Sequence, residues 1–240
     1  VIACIQRNLN IIDISHNISP QNIAAGRFCL MNAYPYFPRG TVYVAVVDPG
    51  VGSQRRGVAV QFEEGYLVGP DNGLFSGVLS LSKAIAAVEL INTNYWRIPQ
   101  PSSTFHGRDI FAPVGAHLAS GVSLEKLGTF IDPDSLVKLP LQPVAITANN
   151  ITGYIQYIDY FGNIITNISG DLLKNKNWSI IINNQKIKKA LTYSEVNQGE
   201  LVSLIGSHGW LEIAVNGGNA QEKLQVNWSY KVNLLLHDSI

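Results

Sequence analysis

Apolar positions in the first 140 residues switch repeatedly between the period of a strand and that of a helix. Ile11-Ile12-Asp13-Ile14 reads as a short strand. Ser19-Pro20 predicts a helix start, with a capping hydroxyl and a proline at the first helical position. Ile23, Phe28, Met31 and Tyr34 then make an apolar stripe that ends near Pro38-Arg39-Gly40. Thr41 to Val47 is nearly unbroken and β-branched, the pattern of a strand buried in a parallel sheet. Val58-Ala59-Val60 and Tyr66-Leu67-Val68 follow as strands. Asp71-Asn72-Gly73 opens a helix over Leu74 to Leu81, and Asp109 to Ser120 forms another that Gly121 closes. Such alternation predicts an α/β domain with a mainly parallel sheet over residues 1–140.

The pattern changes near Lys138-Leu139-Pro140-Leu141-Gln142-Pro143. Beyond it, short strands are expected at Thr152–Ile158, Asn163–Ile168, Trp178–Ile182, Leu201–Leu204, Leu211–Val215 and Val232–Leu236. Asn183-Asn184, Gly206 and Gly217-Gly218 punctuate them. Residues 141–240 therefore read as a smaller all-β, barrel-like domain.

Composition narrows the function. Lys+Arg and Asp+Glu are both 17, so no net charge draws the chain to nucleic acid or to an anionic membrane. The lysines Lys174, Lys176, Lys186, Lys188 and Lys189 alternate with asparagines and read as a solvated hairpin. Charged residues are only 14% and hydrophobic ones 46%, which fits an oligomer that hides part of its surface. Cys4 and Cys29 lie in apolar segments and are expected as buried free thiols. Free thiols make a reducing cytoplasm the expected compartment; no apolar run reaches the roughly 18 residues of a membrane span, and no signal-peptide pattern is visible. Val1-Ile2-Ala3-Cys4-Ile5, without an initial Met, reads as the end of an element that starts upstream.

Three loops carry the candidate chemistry. Asp48 stands where a buried strand ends, and Pro49-Gly50-Val51-Gly52 turns the chain so that Arg55 can fold back on it or bind an anion. Arg56 points elsewhere in any extended geometry. The glycines lack the lysine and the spacing of a phosphate-binding loop. His106 lies between Thr104 and Arg108 in a polar segment, suited to position or deprotonate a nucleophile. Asp109 is expected to cap the following helix and to pair with Arg108. Asp48, His106 and Asp109 lack zinc-like spacing, so no metal site is assigned. In the third loop Asp159 suits an ammonium group, Phe161 a flat ring and Asn163 the edge of a base. A plain hairpin turn explains the same residues.

Four motifs together resemble the S-adenosyl-L-methionine hydroxide adenosyltransferases, relatives of the fluorinases and chlorinases. They are Val47-Asp48-Pro49-Gly50-Val51-Gly52, Gly69-Pro70-Asp71-Asn72-Gly73, Thr104-Phe105-His106-Gly107-Arg108-Asp109 and Asp159-Tyr160-Phe161-Gly162-Asn163. The similarity extends through Gly209-Trp210-Leu211-Glu212-Ile213-Ala214-Val215-Asn216-Gly217-Gly218. The resemblance implies hydrolysis of S-adenosyl-L-methionine to adenosine and L-methionine, without metal or redox cofactor. It also implies a homotrimer whose sites join the N-terminal domain of one subunit to the C-terminal domain of its neighbour. By the same resemblance Asp48, Arg55 and His106 are the catalytic set, Asn163 holds adenine, and Asp159 and Ser207 hold the methionine end. The family opens on a Thr-Asp-Phe-Gly strand whose acid grips the ribose, and that acid lies outside the present numbering. A non-catalytic nucleoside-binding module and a halide-using relative are the alternatives, and product analysis separates them.

Overall fold

Valines and alanines that the sequence strings together without a polar break are buried on both sides of one sheet. In a computed structural model describing residues 1–237, the chain forms two units, Val1–Leu139 and Pro140–Ile240. The first contains α1 (Ile2–Ile5), α2 (Ile23–Ala33), β1 (Thr41–Val44), β2 (Gly57–Gln61), β3 (Gly65–Pro70), α3 (Ser76–Leu79), β4 (Ala86–Glu89), α4 (Ala112–Ala119) and β5 (Thr129–Ile131). Its strands lie in the order β1-β3-β2-β4-β5. Val58, Val60 and Leu67 pack on one face with Leu30, Leu74, Phe75 and Val78. Ala59, Val68 and Val88 pack on the other with Ile110, Phe111, Val114 and Leu118.

The sheet is mixed, which corrects the expectation of a mainly parallel one. β1 and β3 are parallel, whereas β3–β2, β2–β4 and β4–β5 are antiparallel. An unbroken apolar run reports burial on two faces and says nothing about strand direction. The short Phe62-Glu63-Glu64 connection allows β2 and β3 only a hairpin.

Other expectations shift by local causes. Gln21 takes a left-handed backbone with φ 64°. The chain therefore turns after Pro20, and Asn22 rather than Ser19 caps α2, accepting the Ala25 N–H at 3.0 Å. Ile11–Ile14 form no strand and stay exposed. They line a groove of about 1170 Å³ along the edge of β1 instead of pairing with it. The strand expected to reach Val47 ends at Val44, although the Ala45 N–H still donates to Val68. The helix expected over Leu74–Leu81 shortens to α3. Cys29 is half-buried as a free thiol, but Cys4 is exposed, because α1 buries none of its residues.

The second unit contains β6 (Ala145–Ile146), β7 (Asn150–Ile158), β8 (Ile164–Ser169), β9 (Asn177–Ile182), β10 (Gln185–Lys188), β11 (Leu201–Ile205), β12 (Trp210–Val215), α5 (Ala220–Leu224) and β13 (Lys231–His237). The path is β10-β9-β13-β7-β8-β12-β11, with β6 beside β7. A bridge between Lys189 and Ser203 brings its two ends together, so the antiparallel sheet is nearly a closed barrel. Ile151, Ile155, Ile164, Ile180, Leu211, Ile213 and Leu234 fill it. Lys186 and Lys188 are exposed on the β9–β10 hairpin. Its turn residues Asn183 and Asn184 both take positive φ, as a tight two-residue turn requires.

Candidate active site

The loop after β1 and the segment before α4 meet within the first unit. The Asp48 carboxylate ends the β1 run with its side chain 6% exposed, and Arg55 folds back across the turn with its side chain 11% exposed. Arg55 Nε donates to Asp48 Oδ1 at 3.0 Å and Oδ2 at 3.1 Å, and Nη2 donates to Oδ2. The same Nη2 lies 2.8 Å from His106 Nδ1. A guanidinium only donates, so the neutral imidazole accepts through Nδ1 and carries its proton on Nε2. Phe111 lies beneath the guanidinium, whose Cζ is 5.2 Å from the ring centroid.

Glycine makes this meeting possible. Gly52 has φ +78°, and a Cβ there would collide with the Ser103 carbonyl oxygen. The two loops are thus in backbone contact beside the Asp48–Arg55–His106 cluster. Arg56 leaves the cluster, donating to Asp71 Oδ2 through Nε at 3.0 Å and to the Ser135 carbonyl at 2.8 Å. Asp109 does not cap α4. It sits in a π-helical turn, Gly107–Phe111, where its carboxylate accepts from Arg97, Arg108 and the Ser102 N–H.

Burial lowers the His106 pKa, the nearby Arg55 lowers it further, and Asp48 and Asp109 partly oppose this. The ring is therefore neutral at pH 7. Protonation would set a cation against Arg55 and destroy the acceptor at Nδ1. The acid limb of kcat/KM is expected below the ordinary histidine value of about 6.5. Stability has the same sign. The folded state resists a proton that the unfolded chain takes up. This contribution is therefore complete above the unfolded pKa and is lost as pH falls toward the lowered folded one. A pH–rate profile checks this, and an acid limb above 6.5 contradicts it.

Asp159, Phe161 and Asn163 lie in the second unit, in the β7–β8 turn. Asp159 Oδ1 accepts the N–H groups of Phe161 at 2.9 Å and Asn163 at 2.8 Å, and Oδ2 accepts Asn163 Nδ2 at 2.9 Å. The carboxylate thus shapes the loop and holds the amide. Phe161 is 72% exposed and its neighbour Tyr160 97%. Gly162 abuts Asn219, and its carbonyl accepts the Gln221 N–H at 3.0 Å, so the Gly217-Gly218-Asn219 segment supports the turn. Ser207 is exposed in the separate β11–β12 turn.

Beside Ser207 is a polar group that the sequence did not single out. Glu212 is 4% exposed, accepts the Tyr193 hydroxyl at 2.7 Å, and lies 3.1 Å from His208 Nε2. Burial and this carboxylate push the Tyr193 pKa up to about 12. The one signal for it was an acid inside the apolar run of β12.

Similarity to known proteins adds to this geometry. The family model of the SAM hydroxide adenosyltransferase N-terminal domain matches residues 1–128, and that of the C-terminal domain residues 153–233. An (R)-S-adenosyl-L-methionine hydrolase of Salinispora tropica is 40% identical over 227 residues, covering 94% of this chain and 86% of that protein. A fluorinase of Actinopolyspora mzabensis is 27% identical over 249 residues, covering 89% of this chain and 83% of that protein. The crystal structure of an uncharacterized conserved protein from Thermotoga maritima superposes with a TM-score of 0.90 at 34% identity, covering 98% and 92% of the two chains.

Proposed function

Because the chain belongs to the SAM hydroxide adenosyltransferase family, we propose that it hydrolyses S-adenosyl-L-methionine to adenosine and L-methionine. The observation that carries this reading is the Asp48–Arg55–His106 cluster, three polar side chains bonded together from loops far apart in sequence. The water oxygen bonds to C5′ as the C5′–S bond breaks. Methionine leaves with the electron pair as a neutral thioether, and one proton is released. The sulfonium is already a good leaving group, so no acid is needed there.

What the reaction needs is a held and activated water. Arg55 supplies fixed positive charge as hydroxide character develops. His106, holding its proton on Nε2, offers an N–H to orient the oxygen. Asp48 is the member that can accept the proton, since Arg55 cannot and the His106 acceptor nitrogen is engaged by Arg55. Asn163, braced by Asp159, reads the adenine edge, Phe161 covers a flat ring, and Asp159 and Ser207 hold the methionine end. The acting form in this reading is a cytoplasmic homotrimer, in which the first unit of one subunit meets the second unit of its neighbour. The low charged fraction and the split of candidate residues between two units support it. Among the described residues no helix is long and apolar enough to cross a membrane.

Incubation with S-adenosyl-L-methionine and chloride, followed by product analysis, tests the reaction. Adenosine and methionine are expected; a 5′-halo-adenosine, or no turnover, contradicts it. A sedimentation mass of three chains is expected, and a single-chain mass contradicts the assembly. Asn163→Ala is expected to weaken adenosine binding by about 1–3 kcal/mol, the usual cost of an unmade buried hydrogen bond. Unchanged affinity by calorimetry would remove Asn163 from the site.

A further inference from the structure

We infer that Asp109 is a positioning residue, which fixes His106 against Arg55 by clamping both ends of the loop that carries it; this rests on the catalytic reading of His106 above. The carboxylate is completely buried. Oδ1 accepts Arg108 Nε at 2.8 Å and Arg97 Nη1 at 3.2 Å, and Oδ2 accepts the Ser102 N–H at 2.9 Å and Arg108 Nη2 at 3.1 Å. The Asp109 carbonyl accepts the Arg97 N–H at 2.8 Å. Residues 102 and 109 are thereby tied across the segment in which His106 lies. Arg108 also stacks on Phe105, with Cζ 4.7 Å from the ring centroid. The residues on both sides of His106 are therefore held by one carboxylate.

The clamp acts on the site through the backbone. Ser103, next to the tied Ser102, is the residue on which Gly52 rests. A slack loop would move His106 relative to Arg55 and release the Gly52 contact at once. Asp109 lies within the π-helical turn Gly107–Phe111, and such turns recur at functional sites. The charged groups that set the His106 pKa are Arg55 and Asp48 from the β1–β2 connection and Asp109 from its own turn. The arginines keep the Asp109 carboxyl well below the usual carboxylate range, so it stays ionised throughout any assay.

The test compares Asp109→Asn with Arg97→Gln, whose side chain is 44% exposed and whose loss leaves Asp109 paired to Arg108. Three quantities are read: kcat, adenosine affinity, and the His106 titration midpoint by NMR. For Asp109→Asn a fall in kcat of about 10²-fold is expected, the scale of a small misplacement, with adenosine affinity within about threefold. For Arg97→Gln the same split is expected, with a smaller fall. The Asp109→Asn midpoint should rise toward the ordinary value, because a slack loop draws His106 out of its buried place beside Arg55, and burial and Arg55 are the two larger causes of its lowering.

If Asp109 acted on His106 through its charge alone, the midpoint would instead drop further, because a negative charge is lost beside an unmoved ring, so the sign separates positioning from a purely electrostatic role. A lowered or unchanged midpoint, or wild-type kcat in both variants, overturns the inference. The titration needs no turnover. If the wild type fails to hydrolyse S-adenosyl-L-methionine, the proposed function falls, while the midpoint still decides whether Asp109 acts on His106.

Discussion

Arg55→Ala is expected to lower turnover by about 10²–10³-fold, by analogy with a lost oxyanion donor, while adenosine affinity changes only a few-fold. The guanidinium is bonded to both Asp48 and His106, so its loss removes the positive charge and the link between the other two. Its field matters most when the water has gained hydroxide character, which places the effect on kcat rather than on ground-state binding. The substitution also leaves the Asp48 carboxylate buried without its cation, which is itself destabilising. Rates are therefore to be measured below the melting point of the variant. Arg55→Lys keeps the charge but not the fork that meets Asp48 and His106 together, and an intermediate rate is expected. Wild-type turnover in Arg55→Ala would exclude the residue from catalysis.

Phe111→Ala carries the largest expected loss of stability, about 3–5 kcal/mol. The ring is completely buried among Val68, Ile110, Val114 and Leu118. A Cβ on Gly57 would lie 3.0 Å from it, so its surroundings are close-packed. It also underlies the Arg55 guanidinium. At roughly 2–4 °C per kcal/mol for units of this size, the melting temperature should fall by roughly 6–20 °C. Arg55 should loosen as well, so kcat should fall in the folded fraction. A melting temperature within 2 °C of wild type, by roughly that same scale, would show that the cavity collapses without cost.

Most strands of the second unit were legible because their apolar runs are short and most are bounded by asparagine or glycine, whereas β6, two residues long, and β10, with Ile187 as its one apolar residue, give no such run. Asn183 and Asn184, read in the sequence as punctuation, form the β9–β10 turn with positive φ. Strand direction in the first sheet was not legible. Val58-Ala59-Val60 gives the same pattern whether its neighbours run parallel or antiparallel, provided helices cover both faces. Helix starts slipped where one residue, Gln21, left the helical region, which composition does not encode.

Asp48, Arg55 and His106 could be picked out as polar residues in glycine-containing loops, and the motif resemblance assigned their roles. Their mutual bonds depend on Gly52 meeting Ser103, a contact between residues 51 apart that no local pattern states. Asp109 was misread as a cap for the same reason. Its partners Arg97 and Ser102 approach from loop segments with no periodicity. Glu212 escaped notice because a single acid in an apolar strand is silent until Tyr193 and His208 are seen beside it.

The most direct test is to supply S-adenosyl-L-methionine in water enriched in ¹⁸O and weigh the nucleoside released. Attack of water at C5′ puts one ¹⁸O atom into adenosine, at the 5′ hydroxyl, with unlabelled methionine as co-product, and Arg55→Ala should slow this labelled product specifically. Adenosine without the label, a 5′-halo-adenosine, or substrate recovered intact from the wild-type protein would contradict the account.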